Sequence, residues 1–133
     1  MLEIDDLECV TTLKGHNEKV NSISFHPQFL KDVPMMGPNI ATCSNDLNIK
    51  LWSFNPELKY QKSVTFKGHE ESVNQVEFHP MGNLIGSASN DKTCRLWDIE
   101  TKKELLLQEG HAAYVTSLSF QNDGALLVII IFI

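Results

Sequence analysis

The sequence predicts an all-β protein assembled from repeated units, and three observations lead to that prediction. A Gly-His pair, with Phe nine residues after its histidine, occurs in GHNEKVNSISFHP, GHEESVNQVEFHP and GHAAYVTSLSFQN. A second pattern, S-N-D with Trp six residues after the Asp, occurs twice. No segment keeps apolar residues at helical spacing over three turns, so no helix is predicted.

Each unit opens with a strand directly behind its Gly-His pair. The apolar residues of this strand fall at the same offsets in all three units, and the last two share one face because they are two residues apart. These residues are Val20, Ile23 and Phe25, then Val73, Val76 and Phe78, then Val115, Leu118 and Phe120. ATCSNDLNIKLW (41–52) and GSASNDKTCRLWD (86–98) then predict two strands joined by a tight turn, and KSVTFK (62–67) and KELLLQ (103–108) predict a fourth.

All-β units of about 40 to 45 residues, marked by Gly-His and by Trp, are typical of propeller blades. We divide the chain into an N-terminal segment (1–14), whose residues 8–14 are the outer strand of a preceding blade, and three repeats. Repeat 1 spans 15–67 with a surface-loop insertion at 28–39, repeat 2 spans 68–109, and a truncated repeat 3 spans 110–133. The predicted fold is a propeller fragment, with two complete four-stranded antiparallel blades, partial blades at each end, and a ring that is not closed.

These motifs resemble those of the WD-repeat (WD40) family, in which a hydrogen-bonded tetrad links the Gly-His loop to the strands behind it. The resemblance implies two structural tetrads in this chain. They are His16, Thr42, Asp46 and Trp52 in the first repeat, and His69, Ser87, Asp91 and Trp97 in the second. The third repeat keeps His111 but has Ile129 and Ile133 at the positions of Ser87 and Asp91.

His69, Ser87 and Asp91 are also the residue types of a hydrolase triad. The same trio occurs twice at matched offsets, and no G-x-S-x-G elbow surrounds either hydroxyl, so the sequence favours a structural role and no catalytic residue. His26 and His79 lack carboxylates or thiolates at ligand spacing, which favours turn residues over metal ligands. We expect no metal, no cofactor and no small-molecule substrate.

Bulk composition narrows the function classes further. A formal net charge of −6 argues against a dedicated nucleic-acid surface. Three cysteines without a C-x-x-C motif predict a reduced, intracellular setting with the thiols as core residues. The acidic N-terminus does not read as a signal peptide, and the apolar run from Leu126 is under half of the roughly 20 residues needed to span a bilayer, so no membrane contact is expected.

Finer features, namely ATCSNDLNIKLWS after a long loop and RLWDIETKKELLLQEGH, resemble the Prp4 WD-repeat subunits of the U4/U6 small nuclear ribonucleoprotein. That resemblance implies a nuclear, non-catalytic protein–protein scaffold in pre-mRNA splicing. Its implied partner is a Prp3-like subunit, with snRNA held only indirectly through the complex. The alternatives are a WD-repeat adaptor of another complex, such as a ubiquitin-ligase substrate receptor or a chromatin scaffold, and more remotely a hydrolase.

For partner contact the sequence favours loop residues just before the first strand of each unit, because such loops are exposed and free to vary. The candidates are Glu18, Lys19, Glu71, Ser72 and Tyr114. Tyr114 is the strongest of them, since an exposed aromatic is a common interface anchor. An open arc leaves apolar blade faces uncovered, so the isolated chain is expected to self-associate or aggregate.

The last six residues, VIIIFI (128–133), depart from the repeat pattern. They suit a buried strand, being β-branched and uncharged, and they would promote aggregation if exposed. Valine codons begin with the GT of most intron donors, and isoleucine and phenylalanine codons are AT-rich. One hypothesis is therefore that these residues are an intron read as protein, which the transcript across codon 128 would test.

Overall fold

The computed structural model describes residue 9 and residues 11–28, 37–55, 60–125 and 127–131. These residues form ten β-strands and no helix. The strands are β1 Val20–Phe25, β2 Ile40–Ser44, β3 Ile49–Asn55, β4 Tyr60–Phe66, β5 Val73–Phe78, β6 Leu84–Ser89, β7 Cys94–Asp98, β8 Glu104–Gln108, β9 Val115–Phe120 and β10 Leu127–Ile131. Strands β1–β4 form one antiparallel sheet and β5–β8 a second, each in chain order, while β9 pairs with β10 alone.

The S-N-D motif builds the tight turn between the second and third strands of each complete blade. The Asp46 carboxylate accepts the backbone N–H of Asn48 at 3.0 Å, and Asp91 accepts that of Thr93 at 2.9 Å. The residue after each Asp adopts a positive φ, 72° in the first blade and 68° in the second. Because Asp closes such turns through its own side chain, these residues fix the hairpin locally.

The hydrophobic core lies between the sheets. Residues of the first blade pack against those of the second, in a cluster made of Ala41, Cys43, Ile49, Leu51, Phe66, Val73, Val76, Phe78, Ile85 and Trp97. A smaller cluster joins the second blade to the partial one and contains Ala88, Cys94, Val115, Leu118 and Phe120. Each blade therefore buries its apolar face only against a neighbour, as repeat proteins do.

The sequence predicted all three thiols as core residues, but only two of the three cysteines belong to these clusters. Cys43 and Cys94 are buried and unpaired, whereas Cys9 is exposed. Burial raises the pKa of the Cys43 thiol to about 12 and that of Cys94 to about 11. Both thiols stay protonated at neutral pH and pack as small apolar groups.

The arc is open at both ends, and the predicted fold class is confirmed. Val20, Ile23 and Phe25 on β1 are 46–55% exposed, although the matching residues of β5 and β9 are at most 9% exposed. At the other end, Val128 and Ile130 of β10 are 55% and 54% exposed.

Two predicted details differ from the structure. Residues 11–14, which the sequence predicts as part of an outer strand, form no strand. Among the described residues, no strand of a preceding blade lies beside them to pair with. Residues 8 and 10 of the predicted strand lie outside the described residues. Most of the predicted surface loop, 29–36, also lies outside them. Its end is not at the surface: Asn39 is fully buried, and its side-chain amide bonds the backbone N–H and carbonyl of Phe54.

The two Phe-His-Pro histidines tie neighbouring blades together. Nδ1 of His26 accepts the backbone N–H two residues later at 3.1 Å, so Nε2 carries the proton and donates to the carbonyl of Gly82 at 3.0 Å. His79 repeats both bonds one blade further on, with Gly124 as the acceptor. The sequence predicted only turn residues here, and the contact between blades is additional.

Gly82 offers a test of this inter-blade bond. Its φ is +78°, and a Cβ at this position would run into the His26 ring. We expect Gly82→Ala to lower the free energy of unfolding by at least about 1–2 kcal/mol, the cost of the left-handed backbone alone. Gly110→Ala is the control, because Gly110 also has a positive φ, +95°, whereas a Cβ there meets nothing within 4 Å. Equal urea midpoints for the two variants would contradict the prediction.

Candidate functional site

A buried polar network stands behind the Gly-His loop of each complete blade. In the second blade, His69 Nδ1 lies 2.7 Å from Asp91 Oδ2 and His69 Nε2 lies 2.7 Å from Ser87 Oγ. The indole N–H of Trp97 donates to the same Ser87 oxygen at 2.9 Å.

The first blade repeats this arrangement with Thr in place of Ser. His16 Nδ1 lies 2.9 Å from Asp46 Oδ2, His16 Nε2 lies 2.7 Å from Thr42 Oγ1, and Trp52 donates to Thr42 at 2.9 Å. The structure thus brings together each set of four residues named from the sequence.

The direction of each hydrogen bond follows from what the end groups can do. A carboxylate only accepts, so Nδ1 of each histidine carries a proton and Nε2 does not. The hydroxyl donates its single proton to Nε2, and its oxygen accepts the indole N–H. Every polar atom along this path is satisfied, which is the condition under which a buried network stabilises a fold.

Burial and hydrogen bonding set the charges of the network. Burial lowers the pKa of His69, and the neighbouring Asp91 opposes that shift only in part, so the imidazole stays neutral. Burial alone would raise the pKa of Asp91, but hydrogen bonds from Thr93 and His69 outweigh it and lower the pKa. Asp46 follows the same pattern, with hydrogen bonds from His16 and from the backbone of Asn17 and Asn48.

Ser and Asn of the S-N-D motif hold the Gly-His loop by its backbone, a role that sequence reasoning missed. Ser44 Oγ donates to the carbonyl of Glu18 at 3.2 Å, and the N–H of Asn45 donates to the carbonyl of Lys19 at 2.9 Å. The second blade repeats both bonds, from Ser89 Oγ to the carbonyl of Glu71 at 3.2 Å and from the N–H of Asn90 to that of Ser72 at 3.0 Å. The repetition of the whole S-N-D triplet was the available signal.

An asparagine on the first strand of each complete blade reaches the next blade. Asn21 Nδ2 donates to Asn45 Oδ1 at 2.7 Å and to the carbonyl of Val73 at 2.8 Å. Asn74 donates to Asn90 at 2.7 Å and to the carbonyl of Val115 at 2.9 Å. Sequence reasoning missed these residues too, although V-N recurs at 20–21 and 73–74.

The second network links serine, histidine and aspartate in the same order as a catalytic Ser-His-Asp triad. Its hydroxyl, however, is not accessible to a substrate. Ser87 is 0% exposed and its oxygen already accepts the Trp97 indole N–H. A substrate carbonyl cannot approach a nucleophile that the protein encloses on all sides, and a triad needs that approach. The geometry therefore favours the structural role of His69, Ser87 and Asp91.

The loop residues proposed for partner contact surround these networks. Glu18, Lys19 and Glu71 are exposed, Ser72 is half-buried, and Tyr114 is 51% exposed. A pocket of about 370 Å³ lies between the Gly-His loops of the second blade and the partial blade, lined by Glu70, Glu71, Asn90, Asp91, Lys92 and Tyr114. The pocket brings Glu71 and Tyr114 together, whereas Glu18 and Lys19 stand on the loop one blade away.

The partial blade lacks a complete network. Nε2 of His111 is buried without a hydrogen-bond partner among the described residues. In the partial blade Ile129 pairs with Leu118, and in the second blade Ser87 pairs with the equivalent residue, Val76. An alkyl side chain therefore occupies the position at which His69 finds a hydroxyl in the second blade. Ile133, predicted at the position of Asp91, lies outside the described residues.

Within the described ranges, no three His, Cys, Asp or Glu side chains are grouped so as to hold a metal ion. The same part of the chain contains no helix long and apolar enough to cross a membrane.

A family model described as WD domain, G-beta repeat matches residues 7–53, 60–98 and 102–129. The second and third matched segments each begin with the outer strand of one blade, β4 or β8, and continue into the next. These two matched repeats therefore begin one strand before a new blade begins, and each of them contains strands of two blades.

Several curated fungal proteins are similar to this chain. Nuclear distribution protein PAC1 of Arthroderma benhamiae is 37% identical over 134 residues, covering 95% of this chain and 27% of the relative. Nuclear distribution protein nudF 1 of Talaromyces marneffei is 38% identical over 122 residues, covering 92% and 24%. The chain thus spans about a quarter of the length of these relatives. Their names give no support to the Prp4 resemblance, to its splicing role or to the nuclear location inferred from it, and they fit the alternative of an adaptor in another complex better.

The shared hydroxyl of the network can be tested in the second blade. Ser87→Ala leaves His69 Nε2 and the Trp97 N–H without partners, and each buried unsatisfied group costs about 1–3 kcal/mol. We expect a corresponding loss of unfolding free energy in urea. Ser87→Thr is the matched control, because Thr42 fills the same position in the first blade, and it should stay near wild type. A similar loss for both variants would indicate packing rather than hydrogen bonding.

His111 gives the converse test. Ile129→Thr places a hydroxyl beside the buried Nε2, which has no partner among the described residues. Ile129→Val introduces a side chain of the same shape as threonine but without the hydroxyl. We expect the Thr variant to be more stable than the Val variant by about 1 kcal/mol in urea denaturation. A Val variant as stable as the Thr variant would refute the register assigned to β10.

Acid should destabilise the fold in two stages. Burial lowers the pKa of both His26 and His69 below the ordinary 6.5, so the unfolded chain binds protons first as pH falls below 6.5, and stability declines. The lowered pKa values of Asp46 and Asp91 add a second loss below the usual carboxyl range near 3.8. Urea midpoints should be constant above pH 7 and fall from pH 6.5 to 5. His26→Gln should weaken that decline, and an unchanged slope would contradict the assignment.

Proposed function

This chain belongs to the WD40 repeat family, and from that membership we propose that it serves as a non-catalytic scaffold for protein–protein contacts. One observation carries the proposal. The groups able to do chemistry are enclosed and bonded to one another, with Ser87 0% exposed and the His69 side chain 0% exposed. The loops that these networks hold in place project exposed side chains, so the chain offers a rigid surface rather than a reactive centre.

The contact surface that we favour is the pocket between the second and the partial blade. Glu70 and Glu71 are exposed beside Tyr114, while Lys92 is the single cation among the lining residues. The Asp91 carboxylate is already engaged by His69 and by the backbone of Glu70. The two glutamates and the aromatic ring therefore suit a basic segment of a protein partner.

The relatives suggest the kind of complex. PAC1 and nudF 1 are named nuclear distribution proteins. We propose that the protein containing this chain acts as an adaptor in nuclear distribution. The isolated chain should also self-associate, because three large apolar residues of β1 are about half exposed.

The scaffold proposal can be tested by affinity capture from fungal cells, with the Arthroderma benhamiae PAC1 relative processed in parallel. We expect this chain to recover proteins that the relative also recovers. Glu70→Lys with Glu71→Lys should reduce that recovery about tenfold by reversing the pocket charge. Glu100→Lys is the matched control, since Glu100 is an exposed glutamate in a different loop.

Three outcomes would each contradict a part of the proposal. Recovery of U4/U6 RNA with a Prp3-like protein, in place of the shared partners, would support a role in splicing instead. Labelling of Ser87 by a serine-directed fluorophosphonate would show that the buried hydroxyl reacts. Equal capture by the double variant and by Glu100→Lys would move the contact surface away from the pocket.

A further inference from the structure

A cleft of about 560 Å³ lies between the two complete blades, at the ends of the strands opposite the Gly-His loops. One wall comes from the first blade, with residues just before β2 and residues of β3 and β4. The other wall comes from the β5–β6 and β7–β8 turns of the second blade. Because both walls belong to complete blades, the cleft does not depend on where the chain begins or ends.

Hydrogen bonds to backbone atoms hold the walls of the cleft in place. The carbonyl of Gly82 accepts His26 Nε2 at 3.0 Å, which joins the β5–β6 turn to the first blade. The N–H of Ile99 donates to the carbonyl of Asn83 at 3.3 Å, which joins the two turns of the second wall. A partner that enters the cleft therefore meets a preformed surface and loses little affinity to ordering it.

The inner lining of the cleft is apolar. Val64 of β4 and Ile99 of the β7–β8 turn are half-buried and pack against the core cluster shared by the two blades. Pro38 adds apolar surface on the side of the first blade. An aliphatic side chain of a partner would lose water-exposed surface on contact with these residues, which favours binding.

Two cations stand on opposite walls of the cleft. Lys62 comes from β4 and Lys102 from the β7–β8 turn, and both are exposed. Among the described residues, no carboxylate lies within ion-pair distance of either lysine. The carboxylate of Asp98 also lines the cleft, but it already accepts the N–H of Glu100 at 3.2 Å and the Thr101 hydroxyl at 2.8 Å. The lining thus offers a partner two unpaired cations against the single exposed carboxylate of Glu100.

The shape of the cleft is that of a surface groove. Four of its lining residues are exposed to solvent, namely Lys62, Asn83, Glu100 and Lys102. A small-molecule site encloses most of its ligand, which an exposed rim of this kind does not do. An extended segment of another protein, lying along the surface, fits the groove better.

We propose that this cleft is a second docking site, for a protein segment that carries an aliphatic side chain flanked by carboxylates. The aliphatic group packs on Val64 and Ile99, and the carboxylates meet Lys62 and Lys102 on the two walls. The pocket beside Tyr114 lies at the other end of the strands and suits a basic segment. The two sites therefore select partners of opposite charge, and one chain can hold both partners at once.

Two fluorescein-labelled peptides test the proposal by fluorescence anisotropy with the full chain. The acidic peptide is Glu-Glu-Leu-Glu-Glu, and the basic peptide has Lys in place of every Glu. We expect Lys62→Glu with Lys102→Glu to weaken binding of the acidic peptide at least about tenfold, without weakening that of the basic peptide. Lys14→Glu with Lys67→Glu is the matched control, because it changes the net charge equally at two exposed lysines beside the Gly-His loops. It should retain binding of the acidic peptide.

A third peptide, Glu-Glu-Ser-Glu-Glu, separates docking in the cleft from general attraction between charges. It should bind at least about tenfold more weakly than the acidic peptide with leucine, because serine does not fill the apolar lining. Equal binding of these two peptides would overturn the proposal, and so would equal loss in the cleft variant and its matched control.

The two docking sites can fail independently. Glu70→Lys with Glu71→Lys should weaken binding of the basic peptide and leave that of the acidic peptide intact. Loss of basic-peptide binding in the wild-type chain would count against the pocket beside Tyr114 alone. Absence of saturable acidic-peptide binding, with the basic peptide still bound, would overturn the proposal for the cleft alone.

Discussion

The hydroxyl oxygen of Ser87, and that of Thr42 in the first blade, holds each polar network together. It accepts a hydrogen bond from an indole N–H of the third strand and donates a hydrogen bond to the histidine of the Gly-His loop. Loop, second strand and third strand therefore meet at one atom. Because this atom is buried, no water can replace either partner, and the loop takes its position from the sheet. The backbone that carries the exposed side chains of the loop is thereby held against the sheet.

Contacts between blades rely on a different principle, in which size matters more than polarity. Phe78 and Phe120 each pack against small residues of the preceding blade, such as Ala41 and Gly86. Asn21 and His26 add hydrogen bonds to backbone carbonyls of the next blade, and the bond from His26 also requires a glycine at position 82, where a Cβ would meet the ring. Side-chain volume on the facing surfaces therefore determines which blades fit together.

Repetition explains which features could be predicted from the sequence. Each Gly-His, S-N-D and Trp appears in two units at one spacing, so the fold and the members of both networks were accessible without coordinates. The bond from His26 to Gly82 was not, because a backbone carbonyl has no signature and lies 56 residues away. The exposure of Val20 could be predicted only from the open arc and not from its local pattern. Val20 and Val73 share the same local pattern, and only the presence of a preceding blade buries one and leaves the other exposed.

Strand β10 differs from β6, its equivalent in the second blade, on both faces. The alternation of side chains along a strand explains why one change of sequence alters both faces. Side chains alternate across a strand, so Ser87 on β6 points toward the network while Gly86 and Ala88 point toward the next blade. One short segment thus satisfies the histidine and receives the neighbour. An unbroken run of β-branched residues in this segment leaves His111 Nε2 without a partner among the described residues and places Val128 and Ile130 at the positions of Gly86 and Ala88. Because the two sides are chemically independent, either can be restored without the other.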